Sequence, residues 1–235
     1  MLYSKNENNF NILEKLLLKI TDVNIISDLL ITTILNMRLT TSYDAIKLLL
    51  KYGADVNYIK DSWTPLICSC FHSKNNIETI QILIENGANV NSKSNTGRTA
   101  FMYLVRDVSS LDDLEVIKLL IRKKSQINCQ DKSGQTPLMA CLEWSSNIFI
   151  RYDLVKILLD NKANIYMKNN YNENILDIIE KKKNSDIFMK NNFNENTLNI
   201  IEMEKNSDVY SLIFYYKNLI NDTYCEFDIN FIYKN

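Results

Sequence analysis

The sequence predicts an all-α protein in which short helix–turn–helix units stack into a single solenoid. The main signal is a five-residue motif that occurs three times, each time after an apolar stretch: GADVN ends at Asn57, GANVN at Asn91 and KSQIN at Asn128. The steps between these asparagines are 34 residues (91 − 57) and 37 residues (128 − 91). Two short apolar stretches, neither long enough to bury itself alone, precede each phrase. Periods of roughly 20 to 50 residues with a fixed phrase are typical of stacked repeat arrays.

The unit that ends at Asn91 shows where its two helices are expected to begin and end. Thr64-Pro65 predicts a helix start, because a threonine hydroxyl can accept a hydrogen bond from an unpaired N–H and proline is tolerated in the first turn. The apolar run 66–71 then forms the first helix, and residues 77–85 form the second. Gly87 ends the second helix at a position where a left-handed residue is favoured.

Glycine and proline are rare in this chain, with four and two copies respectively. All six occupy equivalent places of the repeat, as the ends of second helices, the tips of loops or the residue after a capping threonine: Gly53, Gly87, Gly97, Gly134, Pro65 and Pro137. A chance assembly of helices would scatter these residues, so their placement supports the repeat.

These motifs resemble the repeat of the ankyrin family, whose pattern has the form G-x-TPLHxAA followed by VVxLLLxxGADVN. The first-helix phrases here are TPLICSC, TAFMYLV and TPLMACL, and the resemblance covers roughly residues 20–202. It implies an all-α ankyrin-repeat solenoid with short loop hairpins. The histidine of the family pattern is replaced in every unit, by Ile67, Met102, Met139, Asp177 and Asn199. Since that histidine bonds neighbouring loops in the family, its loss implies modest stability and an unchanged fold.

The predicted array runs from residue 10 to residue 220, between a frayed N terminus at 1–9 and a tail at 221–235. Its best units are 25–57, 58–91, 92–128 and 129–165, and two degenerate units follow at 166–187 and 188–220. The degenerate units look like copies of each other, since NNYNEN at 169–174 returns as NNFNEN at 191–196.

The N-terminal end of the array is expected to be irregular. Residues 11–20 predict a lone helix that caps the stack, with three leucines facing inward: Leu13, Leu16 and Leu17. Ser27-Asp28 is expected to cap the next helix. Only three positions separate Asn24 from Ser27 (27 − 24), against eight between Asn91 and Thr99 (99 − 91), so the first unit is expected to lack a loop hairpin.

Composition and charge limit the functions that the chain can have. Lys and Arg number 27 and Asp and Glu 28, so the net charge is −1 and the basic excess typical of phosphate binding is missing. The first ten residues hold no apolar signal-peptide core, and no apolar run approaches membrane-spanning length. We therefore expect a cytoplasmic protein (in the host cytoplasm if the source is viral) with no nucleic-acid or membrane partner. We also expect a monomer.

Neither a metal site nor a catalytic site is indicated by the sequence. Cys68-x-Cys70 could be half of a metal site, but no second pair completes it, and the five cysteines fit small core residues in a reducing compartment. The single histidine, His72, has no recurring nucleophile or carboxylate around it. All four glycines are used by the repeat, so none is left for a phosphate-binding loop. We expect no enzyme activity and no cofactor.

Protein binding is the expected function, because stacked repeats present loop tips and exposed first-helix residues along one face. The resemblance implies variable contact positions just before the capping threonine and just after the small pair of the first helix. Those positions are Trp63, Phe71, His72, Arg98, Arg106, Asp107, Gln135, Glu143 and Trp144. Trp144 is the expected anchor, with Arg106 and Trp63 beside it. An alternative interpretation of Trp63 is that it packs between adjacent loops.

The expected partner is a host or cellular protein, and two alternatives stay open. The chain could be a substrate or decoy of an asparaginyl hydroxylase, since Asn57, Asn91 and Asn128 match the position that is modified in the family. It could also be a degenerate paralogue without a partner. The abundant asparagine and isoleucine are similar in style to the ankyrin-repeat proteins of giant amoebal viruses, with poxviruses, intracellular bacteria and protists as other sources.

Overall fold

The computed structural model describes residues 3–36, 42–71, 77–108, 110–144, 148–181 and 212–213. Its helices are α1 (Tyr3–Leu17), α2 (Val23–Leu35), α3 (Ser42–Lys51), α4 (Pro65–Phe71), α5 (Ile77–Glu85), α6 (Ala100–Asp107), α7 (Leu111–Arg122), α8 (Pro137–Trp144) and α9 (Ile148–Asp160). Residues 175–181 add a further short helix, α10. Within these ranges, extended pairing is limited to isolated bridges in two loop hairpins, Lys60–Trp63 and Lys93–Thr99.

The helices of the array lie in two rows. The first helices of the units, α2, α4, α6 and α8, pack against one another in chain order, and the second helices, α3, α5, α7 and α9, do the same. Each first helix also packs against its own second helix, and α1 packs against α3 at the N-terminal end. Contacts therefore run between neighbouring units, as in a solenoid, and the predicted fold class is confirmed.

Threonine caps begin three of the first helices, as the sequence predicts. The Oγ1 atoms of Thr64, Thr99 and Thr136 each accept a hydrogen bond from the backbone N–H three residues further on, at 3.2, 3.3 and 3.3 Å. All three threonines are buried, so an N–H left unpaired at these places would carry a desolvation cost. The bounds of α4 and α5 agree with the two apolar runs of the sequence.

Left-handed residues end the second helices. Gly53 and Gly87 have φ angles of 90° and 87°, and Lys124 and Lys162 take the same place in the next two units with φ angles of 64° and 66°. In all four units the following N–H donates to the carbonyl five residues earlier, at 2.9 to 3.0 Å. Since a side chain in this conformation costs roughly 1 kcal/mol, the later helix ends carry strain that the glycines avoid.

Glycine is required at two loop tips, where neighbouring loops approach closely. Gly97 and Gly134 have φ angles of 79° and 74°. A Cβ atom on them would lie 2.9 Å from the backbone N of Lys132 and 2.7 Å from that of Asn170, respectively. The same two N–H groups donate to carbonyls of the preceding loop at 2.9 and 3.0 Å. The loops therefore stack through direct backbone contact.

Apolar side chains fill the places where the family pattern has histidine. Ile67, Met102 and Met139 are each at most 1% exposed. At the next such place, Asp177 lies in the first turn of α10 and accepts a hydrogen bond from the N–H of Asn174 at 2.9 Å, while Asn174 Oδ1 caps the helix by accepting from the N–H groups of Leu176 and Asp177. In three units, a buried apolar side chain thus stands where the family pattern has a hydrogen-bonding histidine. Burial of these side chains stabilises the fold and so opposes the expected loss of stability.

The N-terminal helix differs from the expectation in its start and its orientation. It begins at Tyr3, so residues 3–9, which were predicted to be frayed, are helical. Leu17 is buried and Leu13 is half-buried, as expected. Leu16 is 53% exposed, so its predicted inward orientation is wrong. Among the described residues, the main neighbour of α1 is α3, so part of its surface stays uncovered.

The predicted cap of the next helix is also wrong. α2 begins at Val23, and Asp22 is its cap, with a carboxylate oxygen that accepts a hydrogen bond from the N–H of Asn24 at 2.8 Å. Ser27-Asp28 therefore lies inside the helix. Only residues 18–22 join α1 to α2, so the expected lack of a hairpin in the first unit is confirmed.

Much of the degenerate C-terminal region lies outside the described residues. In the first predicted unit, 166–187, the structure describes residues up to 181, and Ile175 and Ile179 are buried. In the second, 188–220, it describes residues 212–213, where Ile213 is buried. The duplicated units and the tail at 221–235 therefore stay predictions.

Candidate functional site

Three aromatic rings meet where the first loop hairpin, α4 and α6 come together. Trp63 closes the hairpin, Phe71 ends α4, and Tyr103 lies in α6. The ring centroids are 5.0 Å apart for Trp63–Phe71, 5.5 Å for Trp63–Tyr103 and 5.4 Å for Phe71–Tyr103. Trp63 stacks on Tyr103, and Phe71 meets both rings edge to face, arrangements that aromatic pairs favour. We call these rings, together with Arg106, the aromatic cluster.

Tyr103 fixes the cluster to the scaffold. Its hydroxyl lies 3.1 Å from Ser94 Oγ and 3.1 Å from Thr96 Oγ1, within hydrogen-bonding distance of both, and the residue is 3% exposed. Sequence reasoning missed this residue, although a signal was present. Tyr103 stands where the neighbouring units hold Cys68 and Ala140, so a large ring replaces two small side chains.

Arg106 lies over two rings of the cluster and is held from the side by Asp107. Its guanidinium carbon is 6.0 Å from the centroid of Phe71 and 5.8 Å from that of Tyr103. Its Nε and Nη2 atoms donate to the two carboxylate oxygens of Asp107 at 3.2 and 2.8 Å. The two side chains are 20% and 34% exposed, so this forked pair presents a fixed charge pattern at the surface.

The outer part of the cluster faces solvent. Phe71 is 38% exposed and Trp63 is half-buried. Trp63 packs against helix residues of its own unit and of the next, Phe71 and Tyr103, and it still presents part of its ring to solvent. The cluster is therefore both a junction between units and a surface feature.

An open pocket of about 160 Å³ lies beside the aromatic cluster, between α2, the first hairpin and α4. Its lining residues are Ile31, Leu35, Lys60, Asp61, Trp63, Cys68 and Phe71. Lys60 Nζ forms an ion pair with Asp28 Oδ2 on α2. The hydrogen bond to Asp28 raises the pKa of Lys60, more strongly than partial burial lowers it. This bond also connects the hairpin to α2.

The side chain of Arg98 and the backbone of Gln135, two other predicted contact residues, bond to the same carboxylate of the scaffold. Arg98 Nε donates to Asp131 Oδ2 at 2.8 Å, and their side chains are 18% and 2% exposed. The N–H of Gln135 donates to Asp131 Oδ1 at 3.0 Å. Of the predicted set, the structure brings together four residues: Trp63, Phe71, Arg106 and Asp107. His72 lies outside the described residues, as do the side chains of Glu143 and Trp144.

The three asparagines that end the repeated phrases connect adjacent units. Each Oδ1 accepts a hydrogen bond from a backbone N–H of the next unit at 2.7 to 2.9 Å, and each Nδ2 donates to a carbonyl there at 3.1 to 3.2 Å. The pairs of partners are Asn89 and Gly87 for Asn57, Gln126 and Lys124 for Asn91, and Asn164 and Lys162 for Asn128. Both ends of each amide are therefore used between units.

In the first unit, Ser27 makes the contact that these asparagines make in later units. Its Oγ atom accepts a hydrogen bond from the N–H of Asp55 at 2.8 Å and donates to the carbonyl of Val23 at 2.7 Å. Asp55 occupies the place that Asn89 has one unit later. A serine inside α2 thus takes over the acceptor role of asparagine, which is why its hydroxyl does not cap the helix.

Four cysteines of the described chain lie in the core, and none of them forms a disulfide: Cys68, Cys70, Cys129 and Cys141. Burial raises the pKa of Cys68 to about 12 and also raises that of Cys70. These thiols are protonated and act as small apolar residues. In the described ranges, no group of histidine, cysteine and carboxylate side chains has an arrangement that could hold a metal ion.

Paired helices with capped starts and stacked loops define a helical repeat protein that offers an extended surface. The family model for ankyrin repeats (3 copies) matches residues 1–94, 73–169 and 101–188, more than half of the sequence. The chain therefore belongs to the ankyrin repeat family. Ankyrin repeats are generally protein–protein interaction modules, and the family is typically non-enzymatic.

One similar protein is viral. The chain is 31% identical over 136 residues to a protein of fowlpox virus (strain NVSL) that is described as an ankyrin repeat protein. This match covers 56% of the chain and 37% of the relative, so the chain spans little more than a third of the relative's length. The narrower resemblance to giant amoebal viruses stays a prediction. Among the described helices, none has both the length and the apolar character needed to cross a bilayer.

Proposed function

We propose that the chain binds a host or cellular protein through the face that carries the aromatic cluster. The observation that supports this face is a group of rings and a fixed arginine that remain partly exposed. A few Trp, Tyr and Arg residues commonly supply most of the affinity of a protein interface. The net charge of −1 favours a protein over a nucleic acid as the partner.

The cluster is organised before a partner arrives. Tyr103 is held by two hydroxyl contacts, and Arg106 by two bonds to Asp107. Side chains that already occupy their bound geometry lose little freedom on association, so more of the contact energy contributes to affinity. Phe71, at the end of α4, is the most exposed ring of the cluster and so the first to be covered by a partner.

The test begins with capture of partners by the full chain and their identification by mass spectrometry. Affinity of the purified partner is then measured for Phe71→Ala and Arg106→Ala. We expect each to weaken binding per folded molecule about tenfold or more. The thermal midpoint should change little for Arg106→Ala and should fall for Phe71→Ala, whose ring packs on Trp63 and Tyr103. Matched controls are Leu111→Ala and Arg122→Ala, exposed residues of α7. Equal losses in the controls, or none in the cluster variants, would overturn the proposal.

Trp144 is proposed to extend the same binding face into the next first helix. Trp144→Ala is expected to weaken capture of the same partner about tenfold or more and to leave the thermal midpoint nearly unchanged. A variant that unfolds the array while each folded molecule still binds normally would instead place Trp144 in the core.

Hydroxylation of Asn57, Asn91 and Asn128 is a separate candidate. Asn57 and Asn128 are exposed, which is the observation that favours it. Peptide mass spectrometry on protein purified from cells tests it directly. Added oxygen on these asparagines would support modification, and unmodified peptides throughout would exclude it.

A further inference from the structure

We infer that the pocket beside the aromatic cluster receives one apolar side chain of a protein partner, and that a basic residue next to it in the partner pairs with Asp61. This inference rests on the proposed function and adds the chemistry of the partner. It follows from the origin of the pocket, its size and lining, and the charges at its rim.

The pocket exists because the first unit has no hairpin. Later loops stack directly, as the bond from the N–H of Lys132 to the carbonyl of Thr96 shows. With only residues 18–22 between α1 and α2, no loop stacks on the N-terminal side of the first hairpin. Apolar side chains of α2 are consequently left uncovered, and Leu35 is 47% exposed at the edge of the pocket.

The size and lining of the pocket suit one apolar group. Ile31 and Cys68 are almost fully buried and face it from two helices, while Trp63 and Phe71 form the aromatic side. The thiol of Cys68 carries no charge near neutral pH, since burial raises its pKa to about 12. The volume is about 160 Å³, and an engineered apolar cavity of roughly 150 Å³ binds benzene. One phenyl ring or branched aliphatic side chain therefore fits.

The charged groups at the rim of the pocket sum to one negative charge. Lys60 forms its ion pair with Asp28, and Asp61 attracts the same lysine more weakly, so two aspartates face one cation. Asp61 is exposed at the tip of the hairpin and forms no ion pair with any residue that the structure describes. A basic group beside the apolar side chain would pair with Asp61, and an acidic group would be repelled. Exposed ion pairs contribute about 0.2 to 1 kcal/mol, or roughly a 1.5- to 5-fold difference in affinity.

Two small probes with the same ring and opposite charge test the pocket in the full chain. Binding of phenethylammonium and 3-phenylpropionate is measured by ligand-observed NMR at matched ionic strength. We expect the cation to bind about 1.5- to 5-fold more tightly. Asp61→Lys should reverse this preference, whereas Asp112→Lys, which changes an exposed aspartate on α7, should leave it unchanged. Leu35→Ala should weaken both probes, and Leu111→Ala neither.

Equal binding of the two probes, or a preference that ignores Asp61→Lys, would overturn the charge assignment. No binding, or binding indifferent to Leu35→Ala, would overturn the pocket itself. If Arg106→Ala weakens partner capture while Leu35→Ala and Asp61→Lys leave the affinity of both probes unchanged, this inference fails and the proposed function stands. If the probes behave as expected while Arg106→Ala and Phe71→Ala leave partner binding intact, the proposed function fails instead.

Discussion

Asn91 and Gln126 lie 35 positions apart and are joined by a 2.9 Å hydrogen bond from the backbone N–H of Gln126 to Oδ1 of Asn91. The Nδ2 atom of the same amide donates to the carbonyl of Lys124 at 3.2 Å. One side chain therefore bonds both to a backbone donor and to a backbone acceptor just after the second helix of the next unit. The most regular phrase of the sequence is regular because it connects units.

Replacement of Asn91 tests this connection. Asn91→Ala leaves the N–H of Gln126 and the carbonyl of Lys124 to bond with water, since both contacts are exposed, and we expect a loss of about 0.5 to 1.5 kcal/mol in the free energy of unfolding. Urea unfolding followed by circular dichroism measures it. The control is Asn95→Ala, an exposed asparagine in the following loop. Equal stability of the two variants would show that the contacts of Asn91 with the next unit contribute nothing to the free energy of unfolding.

Asp131 combines two roles that substitutions can separate. It accepts hydrogen bonds from Arg98 Nε and from the backbone N–H groups of Ser133 and Gln135. Asp131→Ala removes both carboxylate oxygens, and with them all three hydrogen bonds, and leaves Arg98 without this ion pair. We therefore expect a loss of roughly 3 kcal/mol in the free energy of unfolding.

Asp131→Asn should cost less than half as much as the alanine substitution. It keeps the acceptor for the turn, as Asn169 does in the next unit, where Oδ1 accepts from Tyr171 and Glu173 at 2.9 and 3.0 Å. Chemical unfolding of both variants gives the comparison. If asparagine proves as harmful as alanine, the charge of Asp131, and not the turn, stabilises this loop.

The repeat was predictable because its signals are local. Thr64 caps an N–H three residues away at the start of α4, and Gly87 ends α5 by its own conformation. The start of α4 and the end of α5 could therefore be predicted from nearby residues. The start of α2 was predicted at the wrong residue, because the sequence offers two local caps. Asp22 caps the helix, whereas the hydroxyl of Ser27 accepts a hydrogen bond from the N–H of Asp55, 28 positions away. Only that contact between units shows that Ser27 is not the cap.

The candidate site was predictable only in part, for a related reason. The family pattern selects positions along one face of the array, and three of them, Trp63, Phe71 and Arg106, lie together in the structure. Their role in binding stays a prediction. It included Arg98, whose partner Asp131 lies 33 positions further on. It also missed Tyr103, which joins the rings through contacts that exist only after the units stack.

At Ser125 one unit departs from its neighbours, and the departure lowers the stability of the fold. Its hydroxyl is buried without a hydrogen-bond partner. Ala54, Ala88 and Ala163 occupy the same place in other units and are buried too. Ser125→Ala removes an unpaired polar group, so we expect it to raise the free energy of unfolding by about 1 kcal/mol.

The reverse change, Ala88→Ser, serves as the comparison and should lower stability by a similar amount. Both are measured as midpoints of urea unfolding with the slope checked for constancy. A destabilised Ser125→Ala variant would mean that the hydroxyl has a partner, such as a bound water, and the prediction would be wrong.

Burial of Cys68 predicts a pH dependence of stability in the alkaline range. Its pKa is raised from 9.0 to about 12 in the folded chain, so the folded state retains a proton that the unfolded state releases. The stabilisation is complete below about pH 9 and is lost as the pH rises toward the folded pKa. The unfolding free energy of the parent should therefore fall faster above pH 9 than that of Cys68→Ala, by up to about 1.4 kcal/mol per pH unit. Ile67→Val, a core truncation that keeps the thiol, should retain the parent slope, and identical slopes in all three proteins would exclude a buried thiol at this position.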